Sequence, residues 1–250
     1  MRKNILFDLD STLLQMDQDE FIRQYIYTLN LKIKEIGKDK EFINYFLKSV
    51  YCTIENNGDK TNEDLFWSLL DLKYPNSRQY EPFFDSFYKN EFRNISSIVD
   101  KNNTTKLLID ALKGRGYNLI LATQPIYPLA ATLERMSWCG LKKDDFSYIT
   151  SYENSHYCKP NKKYYEEILA NLNLDAKDCV MIGNDMDDDF KELPVEIDRI
   201  IILDYLINTN NKEINFKKLY LNDLPLYILV AAIRSHTDST KYFFGIFTGS

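Results

Sequence analysis

Histidine is almost absent from this sequence, with two in 250 residues, and cysteine is scarce, with four. Cys52, Cys139, Cys158 and Cys179 form no C-x-x-C pair, which excludes the common zinc and thioredoxin-like motifs. Scattered single thiols suit a reducing compartment, where cysteine serves as a small buried hydrophobe. His156 and His236 have no partner at metal-ligand spacing, so both are expected to be structural or on the surface. A basic excess is also missing: 31 Lys and Arg stand against 37 Asp and Glu, for a net charge of −6. That argues against a nucleic-acid partner, and it means that any phosphate site must bring its own local cations. Long apolar runs are missing too. LPLYILVAAI at 224–233 is about half of what spans a bilayer, and Asp8 and Asp10 interrupt the apolar start of MRKNILFDLDSTLL, leaving no signal-peptide core. These absences predict a cytoplasmic protein with no membrane partner.

What is present is an alternation of short apolar runs with helical patterns. NILFDL (4–9), YNLILA (117–122), FSYIT (146–150), DCVMIG (178–183) and RIIIL (199–203) have the length and aliphatic content of buried parallel strands. Helix-like spacing over 104–114, 127–138 and 161–172 separates the later ones. The pattern predicts an α/β fold, a doubly wound parallel sheet with helices on both faces.

Roughly a hundred residues divide the first two runs, far more than a crossover helix requires. Segments 17–36, 39–56, 61–72 and 79–92 carry helical apolar spacing rich in aromatics, among them Phe21, Tyr25, Phe42, Phe46, Phe66 and Trp67. Turn residues punctuate them at Gly37, Asn56-Asn57-Gly58 and Tyr74-Pro75-Asn76-Ser77. The plain reading of the aromatics is a helical core. An α-helical insert at 15–98 is therefore expected inside a core made of 1–14 and 99–250. Beyond 203 only a closing amphipathic helix at 224–235 is suggested.

In an open parallel sheet, ligands bind outside the carboxyl ends of the strands. The first run ends in Asp8-Leu9-Asp10-Ser11-Thr12, the second in Thr123-Gln124-Pro125, and the fourth in Gly183-Asn184-Asp185-Met186-Asp187-Asp188-Asp189. Lys159-Pro160-Asn161 opens the helix after the third. Carboxylates, a hydroxyl and a lysine thus converge on one edge. For 185–189 a calcium loop is the rival, with Asp185, Asp187 and Asp189 at positions 1, 3 and 5, but Phe190 stands where such a loop needs glycine.

Set out this way, the sequence resembles the haloacid dehalogenase-like (HAD) superfamily. Its motifs are DxDx(T/V), a strand-ending Ser or Thr, a Lys, and an acidic pair after the fourth strand. The resemblance covers about 4–204 and implies a Rossmann-like HAD core. The position of the insert resembles the helical type-one cap, and the stretch between Thr123 and Lys159 is too short for a second one. It implies a Mg²⁺-dependent phosphohydrolase acting on a small phosphomonoester. Asp8 would be the nucleophile that forms an aspartyl-phosphate, and Asp10 the general acid and base. Thr123, Gln124 through its backbone N–H, and Lys159 would bind the phosphoryl oxygens.

The Asp8 carboxylate, the Asp10 carbonyl and Asp185 would hold Mg²⁺, with Asn184 and Asp189 in support. The family commonly has Asp directly after the strand-four glycine, where this chain has Asn184. Because Mg²⁺ favours a carboxylate, Asp185 is the expected ligand, and the amide oxygen of Asn184 is the alternative. A phosphomutase or phosphotransferase on the same core, or a catalytically silent phosphate-binding module, are the other readings. A dehalogenase is disfavoured, since those enzymes generally lack the second Asp. The expected assembly is a monomer or weak homodimer.

Overall fold

The computed structural model describes residues 3–101, 103–209 and 214–228. Apolar β1 (Asn4–Phe7) runs up the middle of a six-stranded, all-parallel sheet. With β2 (Asn118–Leu121), β3 (Tyr148–Ile149), β4 (Cys179–Gly183), β5 (Asp198–Ile202) and β6 (Lys217–Leu219), the order is β3-β2-β1-β4-β5-β6. The chain winds outward from β1 in both directions, so the switch point lies beside β1. That is where an open parallel sheet leaves a crevice at its carboxyl edge.

Alternation along the strands sorts the core into two layers. Ile5 and Phe7 face one side of β1 with Leu119, Leu121, Val180 and Ile182, while Leu6 faces the other with Ile120, Met181 and the fully buried Tyr164 and Tyr165. The second layer is closed by α7 (Lys162–Leu172). The first is closed by α5 (Thr104–Gly114), α6 (Leu129–Trp138) and the helices between β1 and β2.

Those inserted helices are α1 (Gln18–Lys34), α2 (Lys40–Ile54), α3 (Asn62–Asp71) and α4 (Glu81–Lys89), followed by a 3₁₀ stretch at Glu91–Ile98. Each of the first three starts on a side-chain cap: Asp17 accepts from the Glu20 N–H, Asp39 from Glu41 and Phe42, and Thr61 from Asp64. Such a cap contributes about 1 kcal/mol. The insert's aromatics pack on one another and on α6, with Phe21 and Phe92 both against Trp138. Apolar packing is therefore continuous from insert to sheet. A second anchor is polar: buried Asn62 donates to the Pro125 carbonyl at 3.0 Å, and its own N–H to Ser155 O at 2.8 Å.

The helices begin and end within three residues of the expected limits. Strand β6 was not anticipated, because Lys217 and Lys218 are exposed on an edge strand and carry no apolar run. The four cysteines are free, with Cys158 and Cys179 buried. His156 is structural: its Nδ1 meets Glu167 Oε1 at 2.6 Å. His236 and most of the expected helix at 224–235 lie outside the described residues. Among the described residues, no helix is long and apolar enough to cross a membrane.

Candidate active site

Register decides what meets at the carboxyl edge. Phe7 pairs with Leu121 on one side and Ile182 on the other. Asp8, Thr123 and Asn184 therefore leave the sheet at nearly one level. Asp8, Asp10, Thr123, Gln124, Lys159, Asn184, Asp185 and Asp189, all named from the sequence, line one small polar cavity of about 30 Å³. Gln18 and Asp188 line it too; Gln18 does not stand out in the sequence, and Asp188, which reads there as a solvated loop charge, is half-buried against the cavity.

Lys159 is 1% exposed and is the hub of the site. Its Nζ donates to Asp8 Oδ1 at 2.7 Å and to Asp189 Oδ1 at 2.6 Å. Its backbone is clamped by Gln124, whose Oε1 accepts from the Lys159 N–H at 3.0 Å and whose Nε2 donates to the Lys159 carbonyl at 3.1 Å. The Gln124 side chain is thus committed to holding Lys159. Asp189 turns back beneath the end of β4, and its Oδ2 accepts from the N–H groups of Asn184 and Asp185, both at 3.0 Å. This return needs Gly183, because a Cβ there would lie 2.1 Å from that oxygen. Phe190 is buried beyond it, so the acidic run folds into the core and does not wrap an ion as a calcium loop does.

Two oxygens in the cavity have no partner. Thr123 Oγ1 and Asp10 Oδ1 are buried and unbonded among the described residues. Buried polar atoms without a partner are costly and uncommon in native proteins, so these two mark where a polar ligand fits. The Thr123 loop is held in place independently, its carbonyl accepting from Thr150 Oγ1 at 2.7 Å and Tyr164 OH at 2.9 Å.

The other oxygen of Asp10 bonds Nη1 of Arg135, on α6. Arg135 is fully buried and stacks over Tyr127 at 4.4 Å and Phe21 at 5.9 Å. Sequence reading missed it, because Glu134-Arg135 looks like a solvated pair on an amphipathic helix. Its only signal is an arginine on the helix that follows the Thr123 loop.

Asn184 and Asp185 separate in space. The Asn184 amide donates through Nδ2 to Tyr205 O at 2.8 Å, which turns Oδ1 toward the first motif, where it accepts from Thr12 Oγ1 at 2.9 Å. The Asp185 carboxylate is engaged by its own loop and by Asn208. Its Oδ1 accepts from the N–H groups of Asp187 and Asp188 at 2.8 and 3.1 Å, and Asn208 Nδ2 reaches both oxygens at 2.9 Å.

Negative charge is in excess. Burial raises the Asp8 carboxyl from 3.8 to about 8; Lys159 pulls it down, while Asp189 and Asp10 push it up again. Burial disfavours the Lys159 ammonium, yet Asp189 and Asp8 overcome this and hold its proton well above the ordinary range. One firmly charged lysine is shared between two carboxylates, and that is too little. Asp188 is raised from 3.8 to about 6, first by burial and then by Asp185. A divalent cation with hard oxygen ligands fits this imbalance. Among the described residues no three His, Cys, Asp or Glu side chains are grouped to hold a metal ion. A ligand set of one carboxylate, one backbone carbonyl and one further side chain needs no such group.

A pH dependence follows. Between pH 4 and 8 the folded protein binds more protons at Asp8 and Asp188 than the unfolded chain does, so their contribution to stability is lost as pH rises. In chelator, the thermal midpoint should be higher at pH 5 than at pH 8, and saturating Mg²⁺ should narrow the gap. A midpoint that rises from pH 5 to pH 8 in chelator would contradict this charge balance.

The family model for haloacid dehalogenase-like hydrolases matches residues 2–191. No curated protein matches the chain. Among solved structures, a 2-haloacid dehalogenase from Pseudomonas syringae pv. tomato DC3000 is similar at 15% identity and TM-score 0.56, over 92% of this chain and all of that one. An HAD phosphatase from Thermococcus onnurineus is similar at 19% identity and TM-score 0.55, over 90% and 97%. The HAD-hydrolase YfnB from Bacillus subtilis, bound to magnesium, is similar at 16% identity and TM-score 0.52, over 92% and 99%. These likenesses are to the fold. With the family model matching about three quarters of its length, the chain belongs to the haloacid dehalogenase-like hydrolases.

Proposed function

We propose that this protein hydrolyses a small phosphomonoester through an aspartyl-phosphate on Asp8, with Mg²⁺. The observation that carries the reading is the pair of buried, unpartnered oxygens, Thr123 Oγ1 and Asp10 Oδ1, in one cavity with the Asp8–Lys159 ion pair. A carboxylate of Asp8 attacks phosphorus while the bond to the leaving oxygen breaks. Asp10, through Oδ1, gives a proton to the leaving oxygen and then takes one from the water that attacks phosphorus and frees Asp8. Arg135 on Oδ2 keeps Oδ1 turned inward. The Thr123 hydroxyl, the Gln124 N–H and Lys159 bind the phosphoryl oxygens. Bound Mg²⁺ supplies charge neutralisation on the phosphoryl group. Relatives in fold include a phosphatase and a dehalogenase; Asp10, in place and half free, favours phosphoryl chemistry.

Asp8, the Asp10 carbonyl and Asn184 are the metal ligands in this reading. The preference for Asp185 rested on charge alone, and its carboxylate is already engaged by four hydrogen bonds. Asn184 presents an oriented amide oxygen beside the first motif. Titrating Mg²⁺ against p-nitrophenyl phosphate hydrolysis and against thermal stability tests both points. Chelator should abolish turnover, and Asn184→Ala should weaken Mg²⁺ binding by roughly tenfold or more, exceeding Asp185→Ala. Full activity in chelator refutes the metal, and the reverse order of the variants returns the ligand to Asp185.

A further inference from the structure

A second, larger chamber of about 280 Å³ lies between the insert and the loops at the carboxyl edge of the sheet. Its walls include Tyr25, Phe46, Trp67 and Tyr88 from the insert, with Tyr127 and Tyr152 from the core, and among the described residues no charged side chain lines it. The hydroxyls of Tyr25 and Tyr88 bond each other at 2.9 Å, and Trp67 Nε1 is a buried N–H without a partner among the described residues, so the walls offer few open hydrogen bonds. A sugar or nucleotide entering here would give up hydrogen bonds to water and regain few of them. A cavity of about 150 Å³ with apolar walls can hold benzene; this one has room for a two-ring aromatic group.

The chamber and the catalytic cavity have no lining residue in common, but one loop borders both. Thr123 and Gln124 line the polar cavity, and Ile126, Tyr127 and Pro128, on the same loop, line the apolar chamber. The Tyr127 ring also carries the Arg135 guanidinium that holds Asp10, so the chamber backs onto the residue that would protonate a leaving group. We infer that the chamber takes the organic part of the substrate, which makes the substrate an aryl or branched-alkyl phosphomonoester in place of a sugar phosphate or nucleotide. This rests on the phosphatase reading and narrows it.

The test compares kcat/KM of the full chain with Mg²⁺ for 1-naphthyl phosphate, glycerol 3-phosphate and acetyl phosphate, and measures 1-naphthol binding by calorimetry without turnover. The naphthyl ester should exceed the glycerol ester by roughly 100-fold, the order expected for burying an aromatic group. Val50→Trp, which fills the chamber from half-buried Val50 on α2, should lower the ratio of naphthyl to acetyl phosphate turnover by about 30-fold and weaken 1-naphthol binding to match. Tyr51→Glu, at the 70% exposed rim, gives a second variant that does not disturb packing and should shift the ratio in the same direction. Acetyl phosphate turnover with equal use of the naphthyl and glycerol esters, or no 1-naphthol binding, overturns this inference and leaves the phosphatase reading standing. No turnover of any ester removes the phosphatase reading and the substrate class with it.

Discussion

Asp8→Asn should lower turnover by on the order of 10⁴-fold or more, the scale seen when a nucleophile is removed from a site that keeps its remaining machinery. An amide is a far poorer nucleophile than a carboxylate and a weaker ligand for Mg²⁺. The substitution is close to isosteric, and Lys159 keeps Asp189 as a partner, so the fold should survive. Stability should rise in the absence of metal, because a buried carboxyl already pushed up to about 8 is being replaced by a neutral group. The discriminating pattern is therefore lost turnover together with an unchanged or higher thermal midpoint in chelator. Hydrolysis within tenfold of the wild type would remove Asp8 from the nucleophile's role. A collapse of the fold would mean that the Asp8–Lys159 pair is chiefly structural.

Lys159→Met should be the most destabilising single change in the site, by about 3–5 kcal/mol, the cost of stripping one partner from a buried ion pair. Lys159 is 1% exposed and serves two carboxylates. Asp8, already pushed up to about 8 beside Lys159, goes higher without it, while Asp189 keeps its two backbone N–H bonds and loses its cation. The loss should therefore be larger at pH 8 than at pH 5, and adding Asp189→Asn to Lys159→Met should recover part of it in a double-mutant cycle. Urea denaturation of the four proteins reads this directly. A loss below about 1 kcal/mol, the range of exposed pairs, would show that Lys159 is not the buried hub described above.

Much of the fold is legible in the residues themselves. Parallel strands buried on both faces read as unbroken aliphatic runs, and the helices of the insert are opened by Asp17, Asp39 and Thr61, side chains that cap through contacts only a few residues long. The order of strand-ending residues on β1, β2 and β4 is likewise a local property, because each follows its own apolar run. For these reasons the sequence by itself assigns Asp8, Asp10, Thr123, Lys159 and the acidic run to one edge. Family membership followed from the same residues.

What sequence could not settle depends on contacts between distant segments. Arg135 stands 125 positions from Asp10, and nothing nearby in the chain shows that its helix face is turned inward between Tyr127 and Phe21. Asn184 and Asp185 are neighbours whose ranking by charge favours the carboxylate. Only the fold shows that Tyr205 orients the amide toward the first motif while Asn208 and the loop N–H groups hold the carboxylate. The aromatic residues of the insert announced a helical core; their residual space against the loop at 126–128 appears only once insert and sheet are packed together. Local pattern determined the elements and the residues at their ends, because hydrogen-bonding period and capping act over a few residues. Burial, charge balance and the shape of the empty space were decided by tertiary structure, because each is a sum over groups that the chain brings together from far apart.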